Sequence, residues 1–247
     1  MHLALIGYGK MGKEIERLAL ERGWQVDLRI DIDTPPVTKE QRERVDVAIH
    51  FALAGSLMDD LTPWAEAHKP IVIGTTGWQD QLPKIEAMAK KYNIGILHAS
   101  NFSIGVNMFF HLVKTAAQLA DKFPEYDAFV HEIHHKNKLD SPSGTALSIG
   151  RIVLENLKRK KELLSETSHG KISPEKLHIS STRSGSVVGT HTLVFDSSAD
   201  SIELKHTAKD RSGLALGTLL AAQWLVGKKG IYTMDDVFQD LVKQGDL

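Results

Sequence analysis

Three closely spaced glycines near the N-terminus constrain this chain more than any other feature. They form the pattern G-x-G-x-x-G, directly after an apolar strand-like run and at the start of a helical pattern. The first glycine permits a tight turn, the second lets the backbone approach a pyrophosphate, and the third lets helix and strand pack closely. Amides at the helix N-terminus then bind phosphates. The alternative is an ordinary strand-to-helix turn. The residues assigned to this predicted dinucleotide site are Gly7, Tyr8, Gly9, Lys10, Met11 and Gly12.

The first part of the chain, to about residue 99, alternates short strand-like runs with helical patterns. Alternation of this kind predicts βαβ units and a parallel sheet. The runs around Val47 and Ile71 are apolar at consecutive positions, as expected for strands that helices cover on both faces. Pro35 and Pro36 predict a short polar loop between the second and third strands. This pattern predicts a Rossmann-type α/β domain.

The pattern changes after about residue 104. Helices are predicted over about 106–122 and 145–161, with a strand over about 126–135 between them. Three strand-like runs with turn signals between them follow over 177–208. These features predict a smaller α+β unit with a mixed, mostly antiparallel sheet.

The domain bounds follow from these patterns. Residues 1–103 and 211–247 are expected to form the dinucleotide-binding domain, and residues 104–210 a second domain, for which the family resemblance described below implies substrate binding and oligomerisation. The final segment is predicted to be helical, with no further strand. Its apolar stretch, 214–226, is shorter than the roughly 20 residues of a membrane-spanning helix and predicts a buried helix instead.

An acidic residue at the end of the second strand bears on the choice of cofactor. Asp31 lies 19 residues beyond Gly12, where a carboxylate accepts hydrogen bonds from the adenosine ribose. It would repel a 2′-phosphate, so NADH is expected to be at least as good a cofactor as NADPH. Lys10 or Arg29 could still reach a phosphate, and Asp33 is an alternative partner for the ribose.

A second glycine-rich turn follows the fourth strand. Gly74, Thr75, Thr76 and Gly77 lie at the carboxyl edge of the predicted sheet, where open α/β sheets bind ligands. A turn followed by a helix cap is the alternative interpretation.

The densest cluster of reactive side chains lies between residues 131 and 145. Lys138 and the amides near Gly144 and Thr145 can bind a carboxylate, while a histidine with a pKa near neutrality can deliver a proton. Hydride addition to an electron-poor carbon requires such a proton. The cluster therefore predicts an anion-binding site with a proton-donating histidine beside it.

One alternative for this cluster is a zinc site, because His131 to His135 satisfy the pattern H-E-x-x-H. That pattern binds zinc on a helix, where residues four apart are neighbours. The flanking apolar residues favour a strand, in which four residues span about 13 Å. No metal site is therefore predicted, and His131 is interpreted as a structural histidine.

Several motifs together resemble the dihydrodipicolinate reductase family of lysine and diaminopimelate synthesis. They are E-x-H-H-x-x-K-x-D-x-P-S-G-T-A over 132–146, the early glycine pattern, GTTG at Gly74, and ASNFSIGVN over 99–107. The resemblance implies an NADH- or NADPH-dependent enzyme that reduces a cyclic, unsaturated dicarboxylate. It also implies a homotetramer assembled through the sheets of the substrate domain.

The resemblance also implies roles for individual residues. His134 is similar to the family's general acid/base and Lys138 to its second proton donor. A looser match is found for Arg183, Gly185 and His191, which are assigned only a structural or indirect role. The residues similar to the substrate-binding set are His135, Gly144 and Thr145. Those similar to the parts that hold the nicotinamide end are Gly74, Thr75, Thr76, Ala99, Ser100, Asn101 and Phe102.

Composition limits the remaining alternatives. With 30 basic and 31 acidic residues, the net charge of −1 offers no field that would attract nucleic acid or an anionic membrane. The basic run 158–161 is interpreted as a solvated helix end. The absence of cysteine suits a reducing cytoplasm, where the protein is expected to act. Two rival hypotheses are another two-domain dehydrogenase and a non-catalytic dinucleotide sensor.

Overall fold

The computed structural model describes residues 1–244 and divides the chain into two compact units. The first unit comprises Met1–Ile104 and the segment from Arg211 onward, and the second comprises Gly105–Asp210. The last three residues of the predicted segment 211–247 lie outside the described residues.

The strands and helices are numbered in chain order. The strands are β1 (His2–Ile6), β2 (Gln25–Ile30), β3 (Val47–His50), β4 (Ile71–Ile73), β5 (Gly95–His98), β6 (Asp127–His134), β7 (Glu162–Leu164), β8 (Lys176–Arg183), β9 (Gly189–Asp196), β10 (Ser201–Ala208) and β11 (Gly230–Tyr232). The helices are α1 (Lys10–Glu21), α2 (Lys39–Glu43), α3 (Leu57–Glu66), α4 (Leu82–Tyr92), α5 (Ile104–Ala120), α6 (Gly144–Asn156), α7 (Ser212–Leu225) and α8 (Met234–Gln244). None of the helices among residues 1–244 has the length and apolar character needed to cross a membrane.

The first unit contains a six-stranded sheet of order β11-β5-β4-β3-β1-β2, in which every ladder is parallel. The predicted parallel α/β sheet is therefore confirmed. The strand order reverses between β1 and β3, and ligands of open α/β sheets bind at the carboxyl ends of the strands beside such a switch point. Gly7 follows β1 at this position.

Two predictions for the first unit are wrong in detail. The final segment was expected to add no strand, yet β11 pairs with β5, with Ile231 opposite Ile96. Three residues between two helices are too few to show a strand period. The expected loop after β2 contains the short helix α2, which begins at a capping box of Thr38 and Gln41.

Both faces of the first sheet are covered, which explains the consecutive apolar residues of its strands. Leu3 and Leu5 pack on one face with α1, α7 and α8, while Ala4 and Ile6 pack on the other face with α3 and α4. Side chains on a strand alternate between the faces, so a strand buried on both sides is apolar at every position.

The second unit contains a five-stranded sheet of order β10-β9-β6-β8-β7. The predicted mixed sheet is confirmed, but it is evenly mixed: β6 and β10 run antiparallel to β9, while β6 and β7 run parallel to β8. The chain passes from β6 to β8 through α6, and a crossover of that kind joins parallel strands. Helices α5 and α6 contribute to the core with Val113, Val153 and Phe195 among its buried residues.

The basic run 158–161 is not the solvated helix end that the sequence predicts. Helix α6 ends at Asn156, and the side chain of Lys160 is buried. Its ammonium group donates to the carbonyl of Lys176 at 2.8 Å and pairs with Asp127. Arg159 donates to the carbonyl of Ala120 at 3.1 Å. These two cations therefore bind carbonyls at the end of α5 and at the start of β8.

Candidate active site

The glycine turn after β1 has geometry that only glycine permits at two positions. Gly7 has a φ of +89°, and a Cβ there would lie 2.4 Å from the carbonyl oxygen of Phe51. A Cβ at Gly12 would lie 2.6 Å from the carbonyl oxygen of Gly7. Contacts this short force the backbone to move, so the first and third glycines keep the turn tight against β3 and α1.

The start of α1 is open to an anion. Gly9 is the N-cap and provides no side chain to cap the helix amides, and a Cβ at this position would meet nothing within 4 Å. No acidic residue lies in the first turn, and Lys10 is exposed beside it. A helix N-terminus of this kind binds phosphate through its free amides and its dipole. Tyr8 and Met11 are partly buried against the core.

The sequence predicts that residues at the end of β2 contact the adenosine end of the cofactor. Asp31 is exposed after the strand, and one of its carboxylate oxygens accepts from the amide of Ile32 at 3.0 Å. The guanidinium of Arg29 instead donates to Glu16 at 2.9 Å and lies over the ring of Tyr8. Arg29 therefore already has an anionic partner within the protein.

The glycine-rich turn after β4 is held by a buried histidine. His50 Nδ1 lies 2.7 Å from the Thr75 hydroxyl, and its Nε2 lies 3.0 Å from the carboxylate of Asp60. A Cβ at Gly74 would overlap the ring of Phe51, while Thr76 is exposed. The side chain of Thr75 thus faces the protein, and burial lowers the pKa of His50.

The segment after β5 meets the same turn around a cavity of about 40 Å³. Thr75, Ala99 and Ser100 line the cavity together with Trp78 and His98. Two segments assigned to the same predicted site are therefore neighbours in the first unit.

Two residues of the second segment have their own partners in the protein. The side chain of Phe102 is buried in the core, and the side-chain oxygen of Asn101 accepts from the amide of Ser103 at 2.9 Å. Because its side chain is buried, Phe102 could contact a ligand through its backbone.

Strand β6 carries the candidate catalytic cluster of the second unit. The strand period of two places Glu132 and His134 on the buried face, and both are buried. His131 belongs to the other face, where its Nδ1 lies 2.8 Å from the hydroxyl of Ser180. The H-E-x-x-H pattern therefore lies on a strand, without the helical spacing that zinc binding by this pattern requires.

Glu132 is a fully buried carboxylate with several partners. Its Oε1 accepts from the Arg183 guanidinium at 2.7 Å and from the amide of Ser143 at 3.0 Å, while Oε2 lies 2.7 Å from Nδ1 of His134. Burial opposes ionisation, but the hydrogen bonds from Ser143 and Arg183 outweigh it and lower the pKa of Glu132 to about 2. The group is therefore an anion at neutral pH.

The pKa of the His134 imidazole is subject to opposing effects. Burial lowers the pKa of His134, the carboxylate of Glu132 raises it, and the charges of Lys138 and Arg183 lower it further. On the neighbouring strand, a Cβ at Gly189 would lie 2.9 Å from His134 Nε2.

His191 on β9 completes the buried group. Its Nε2 lies 3.1 Å from the hydroxyl of Ser143 and 3.8 Å from Oε2 of Glu132. Burial, followed by the charge of His134, lowers the pKa of His191 to about 4. Ligand atoms of Glu132, His134 and His191 lie within 4.8 Å of one another, a spacing that could hold a metal ion. Arg183 already supplies a positive charge to Glu132, which disfavours a second cation there.

The loop after β6 and the start of α6 form the rest of the cluster. The ammonium of Lys138 lies 2.8 Å from Asp140, and this contact lowers the pKa of Asp140. The hydroxyl of Ser143 caps α6 by accepting from the amide of Ala146 at 3.1 Å. Gly144 is exposed in the first turn, which contains no acidic residue. The other residues assigned to substrate, His135 and Thr145, are half-buried.

Family models match both parts of the chain. The model described as dihydrodipicolinate reductase, N-terminus, matches residues 1–102, and the model described as dihydrodipicolinate reductase, C-terminus, matches residues 105–238. The chain belongs to the dihydrodipicolinate reductase family. The resemblance seen in the sequence motifs is thereby confirmed, and membership places the chain among the oxidoreductases.

Individual members of the dihydrodipicolinate reductase family match nearly the whole chain. The 4-hydroxy-tetrahydrodipicolinate reductase of Christiangramia forsetii is 41% identical over 244 residues, which cover 98% of this chain and 100% of the relative. That of Methanoregula boonei is 34% identical over 93% of this chain and 94% of the relative. The solved structure of dipicolinate-bound dihydrodipicolinate reductase from Paenisporosarcina sp. TG-14 has a TM-score of 0.75 at 22% identity, covering 94% of this chain and 97% of that chain, and shares its fold.

Three residues of the cluster in this member of the dihydrodipicolinate reductase family have no role predicted from the sequence. Glu132 was quoted within the motif without a role, although the strand period places it on the same face as His134. Ser143 and Gly189 were also unassigned. Only the sheet register brings Gly189 to His134, so no local sequence signal could have identified it.

Proposed function

We propose that this chain converts 4-hydroxy-tetrahydrodipicolinate, or the dihydrodipicolinate that forms from it by loss of water, to tetrahydrodipicolinate in lysine and diaminopimelate synthesis. The two relatives are named 4-hydroxy-tetrahydrodipicolinate reductases, and their sequences match 98% and 93% of this chain. The observation that carries the proposal is the cluster of the second unit, in which a buried His134 lies beside Glu132, with Lys138 and the start of α6 nearby. This arrangement favours an enzyme over a dinucleotide sensor, which would not require a proton donor.

The residues of the first unit fit a nicotinamide dinucleotide. A Cβ at Gly7 or Gly12 would collide with backbone, and the open N-cap at Gly9 leaves the helix amides for a pyrophosphate. When bound, NADH or NADPH supplies the hydride. Because Asp31 is exposed where the ribose would bind and Arg29 is paired with Glu16, NADH should be at least as good a cofactor as NADPH.

The second unit supplies the substrate contacts and the proton. The start of α6 at Gly144 and Thr145 and the ammonium of Lys138 would bind the carboxylates of the substrate in place of Asp140, which contacts both Lys138 and the backbone of Gly144. As hydride adds to an electron-poor ring carbon, negative charge develops in the conjugated system, and His134 delivers a proton there. Lys138 is the second proton donor, and His135 contacts substrate. The 4-hydroxy substrate loses its hydroxyl group as water, and reduction of the resulting unsaturated ring then consumes one hydride and one proton.

We further propose that the protein acts in the cytoplasm as a homotetramer, without nucleic acid or membrane partners. The second sheet supports self-association because Phe129 on β6 is an exposed apolar side chain on the face opposite to the core residues Ala128 and Phe195. Measurement of mass in solution by light scattering tests the tetramer.

The enzymatic proposal is tested by mixing the purified protein with the product of dihydrodipicolinate synthase and following the absorbance of each reduced cofactor. We expect substrate-dependent oxidation of NADH at a rate equal to or above that of NADPH. No oxidation of either cofactor would overturn the proposed reaction. Oxidation of NADPH alone would overturn the assignment of cofactor preference.

A further inference from the structure

We propose that Glu132 is a positioning residue for the reaction, which holds His134 with its Nδ1 protonated and thereby directs Nε2 to the substrate. This inference rests on the proposed function. It assigns a task to a charged group that the mechanism above does not use.

The carboxylate is arranged to receive one further donor. Arg183 and the amide of Ser143 both contact Oε1, so Oε2 is left for another group. Oε2 and Nδ1 of His134 lie 2.7 Å apart as an ion-pair contact, both are fully buried, and neither atom makes a well-aligned hydrogen bond to any of the described residues. Buried polar atoms are nearly always paired, so Nδ1 carries its proton towards Oε2.

The opposite end of the ring has a different environment. With Nδ1 facing Glu132, Nε2 faces the position on β9 where Gly189 has no side chain. A side chain there would cover Nε2, since a Cβ would lie at 2.9 Å. The structure thus places Nδ1 against a carboxylate, while Nε2 lies where residue 189 has no side chain to cover it, as a proton donor requires.

The charges around the ring explain why an anion is needed. Lys138 from the following loop and Arg183 from β8 are cations that disfavour the protonated imidazole, and His191 packs against the ring from β9 at 5.1 Å between centroids. Burial acts in the same direction. Glu132 on the same strand has the opposite effect, because its negative charge favours the protonated imidazole. The carboxylate therefore orients His134 and also helps it to carry a proton.

The first test measures the tautomer of His134 directly in the wild-type protein. Long-range proton–nitrogen NMR spectra of histidine-labelled protein, recorded above the pKa of His134, should show a proton on Nδ1. A proton on Nε2 would overturn the inference. This measurement needs no turnover, so it remains decisive if the proposed reaction fails or if a variant does not fold.

The second test compares Glu132→Gln with Glu132→Asp and with the exposed control Glu162→Gln. We expect kcat of Glu132→Gln to fall at least about tenfold, a part of the 10²- to 10⁴-fold contribution of a proton donor, with the KM for NADH unchanged. The alkaline fall of kcat/KM should move to lower pH, because loss of the carboxylate lowers the pKa of His134. Glu132→Asp should recover part of kcat, and the control should match the wild type.

A purely structural role predicts a different result. Glu132→Gln would then lower stability while the folded fraction kept the wild-type kcat and pH profile, and that result would overturn the inference. Absence of turnover in the wild type would instead contradict the proposed reaction and leave the tautomer measurement to decide the role of Glu132.

Discussion

Gly189 leaves its side-chain position open directly beside the imidazole of His134, with only 2.9 Å between Nε2 and the place a Cβ would occupy. Gly189 begins β9, and the next residue, Thr190, pairs with Ile133 in the β6–β9 ladder. Sheet register therefore determines which atom of His134 is accessible.

Replacement of Gly189 by alanine should impair proton delivery. We expect Gly189→Ala to lower kcat at least about tenfold while leaving the KM for cofactor unchanged, because the methyl group displaces a proton donor that contributes 10²- to 10⁴-fold. Steady-state kinetics with both substrates measure this effect. Gly170→Ala is a matched control, since a Cβ there meets nothing within 4 Å. Equal kcat values for the two variants would contradict the prediction.

Loss of the Lys138 ammonium should affect turnover much more than cofactor binding. We expect Lys138→Ala to reduce kcat by at least about 100-fold, the usual scale for removal of a proton donor. Fluorescence titration with NADH should give an unchanged Kd. Lys136→Ala, an exposed lysine in the same loop, should behave as the wild type. If turnover of Lys138→Ala stays normal, the lysine has no catalytic role.

Two glycines of the first turn should give opposite results when replaced by alanine. Gly12→Ala places a methyl group 2.6 Å from a carbonyl oxygen and should lower the free energy of unfolding by about 1–3 kcal/mol, as overpacking does. Gly9→Ala meets open space and should cost less than about 1 kcal/mol, but it should raise the KM for NADH. Urea unfolding and kinetics separate the two effects. Equal stability losses would show that Gly9 is also constrained by packing.

The buried His191 should make stability depend on pH. Its pKa is lowered from 6.5 to about 4, so the unfolded chain takes up a proton at a higher pH than the folded protein. The free energy of unfolding should therefore fall as pH decreases from 6.5 towards 4, and the stabilisation is fully present above 6.5. Urea unfolding at several pH values should show a shallower slope for His191→Gln. The exposed control His169→Gln should keep the wild-type slope; equal slopes for both variants would exclude His191 as the cause.

The alternation of apolar runs was sufficient to predict the parallel sheet and the order of the early elements. Gly12 could be given a structural role from sequence because its constraint lies within one turn, whereas the contact of Gly7 with Phe51 depends on the tertiary fold. Strands β7 and β11 were missed because three residues are too short for a period to appear.

The candidate active site was predictable only in part. His134 and Lys138 lie in one local motif, but Arg183 and His191 reach the cluster through strand pairing across about fifty residues of sequence. The basic run at Lys160 shows the same limit, since a distant carbonyl at Lys176 explains its burial. Partners of this kind depend on tertiary structure, which residue spacing does not encode.

The alternation of side chains along β6 restricts which insertions and deletions the protein can tolerate during evolution. Insertion or deletion of a single residue within this strand would exchange its faces, bringing His131 inward and turning Glu132 and His134 outward. Homologous proteins should therefore vary in the length of the loops on either side of β6 while the number of residues in the strand stays constant.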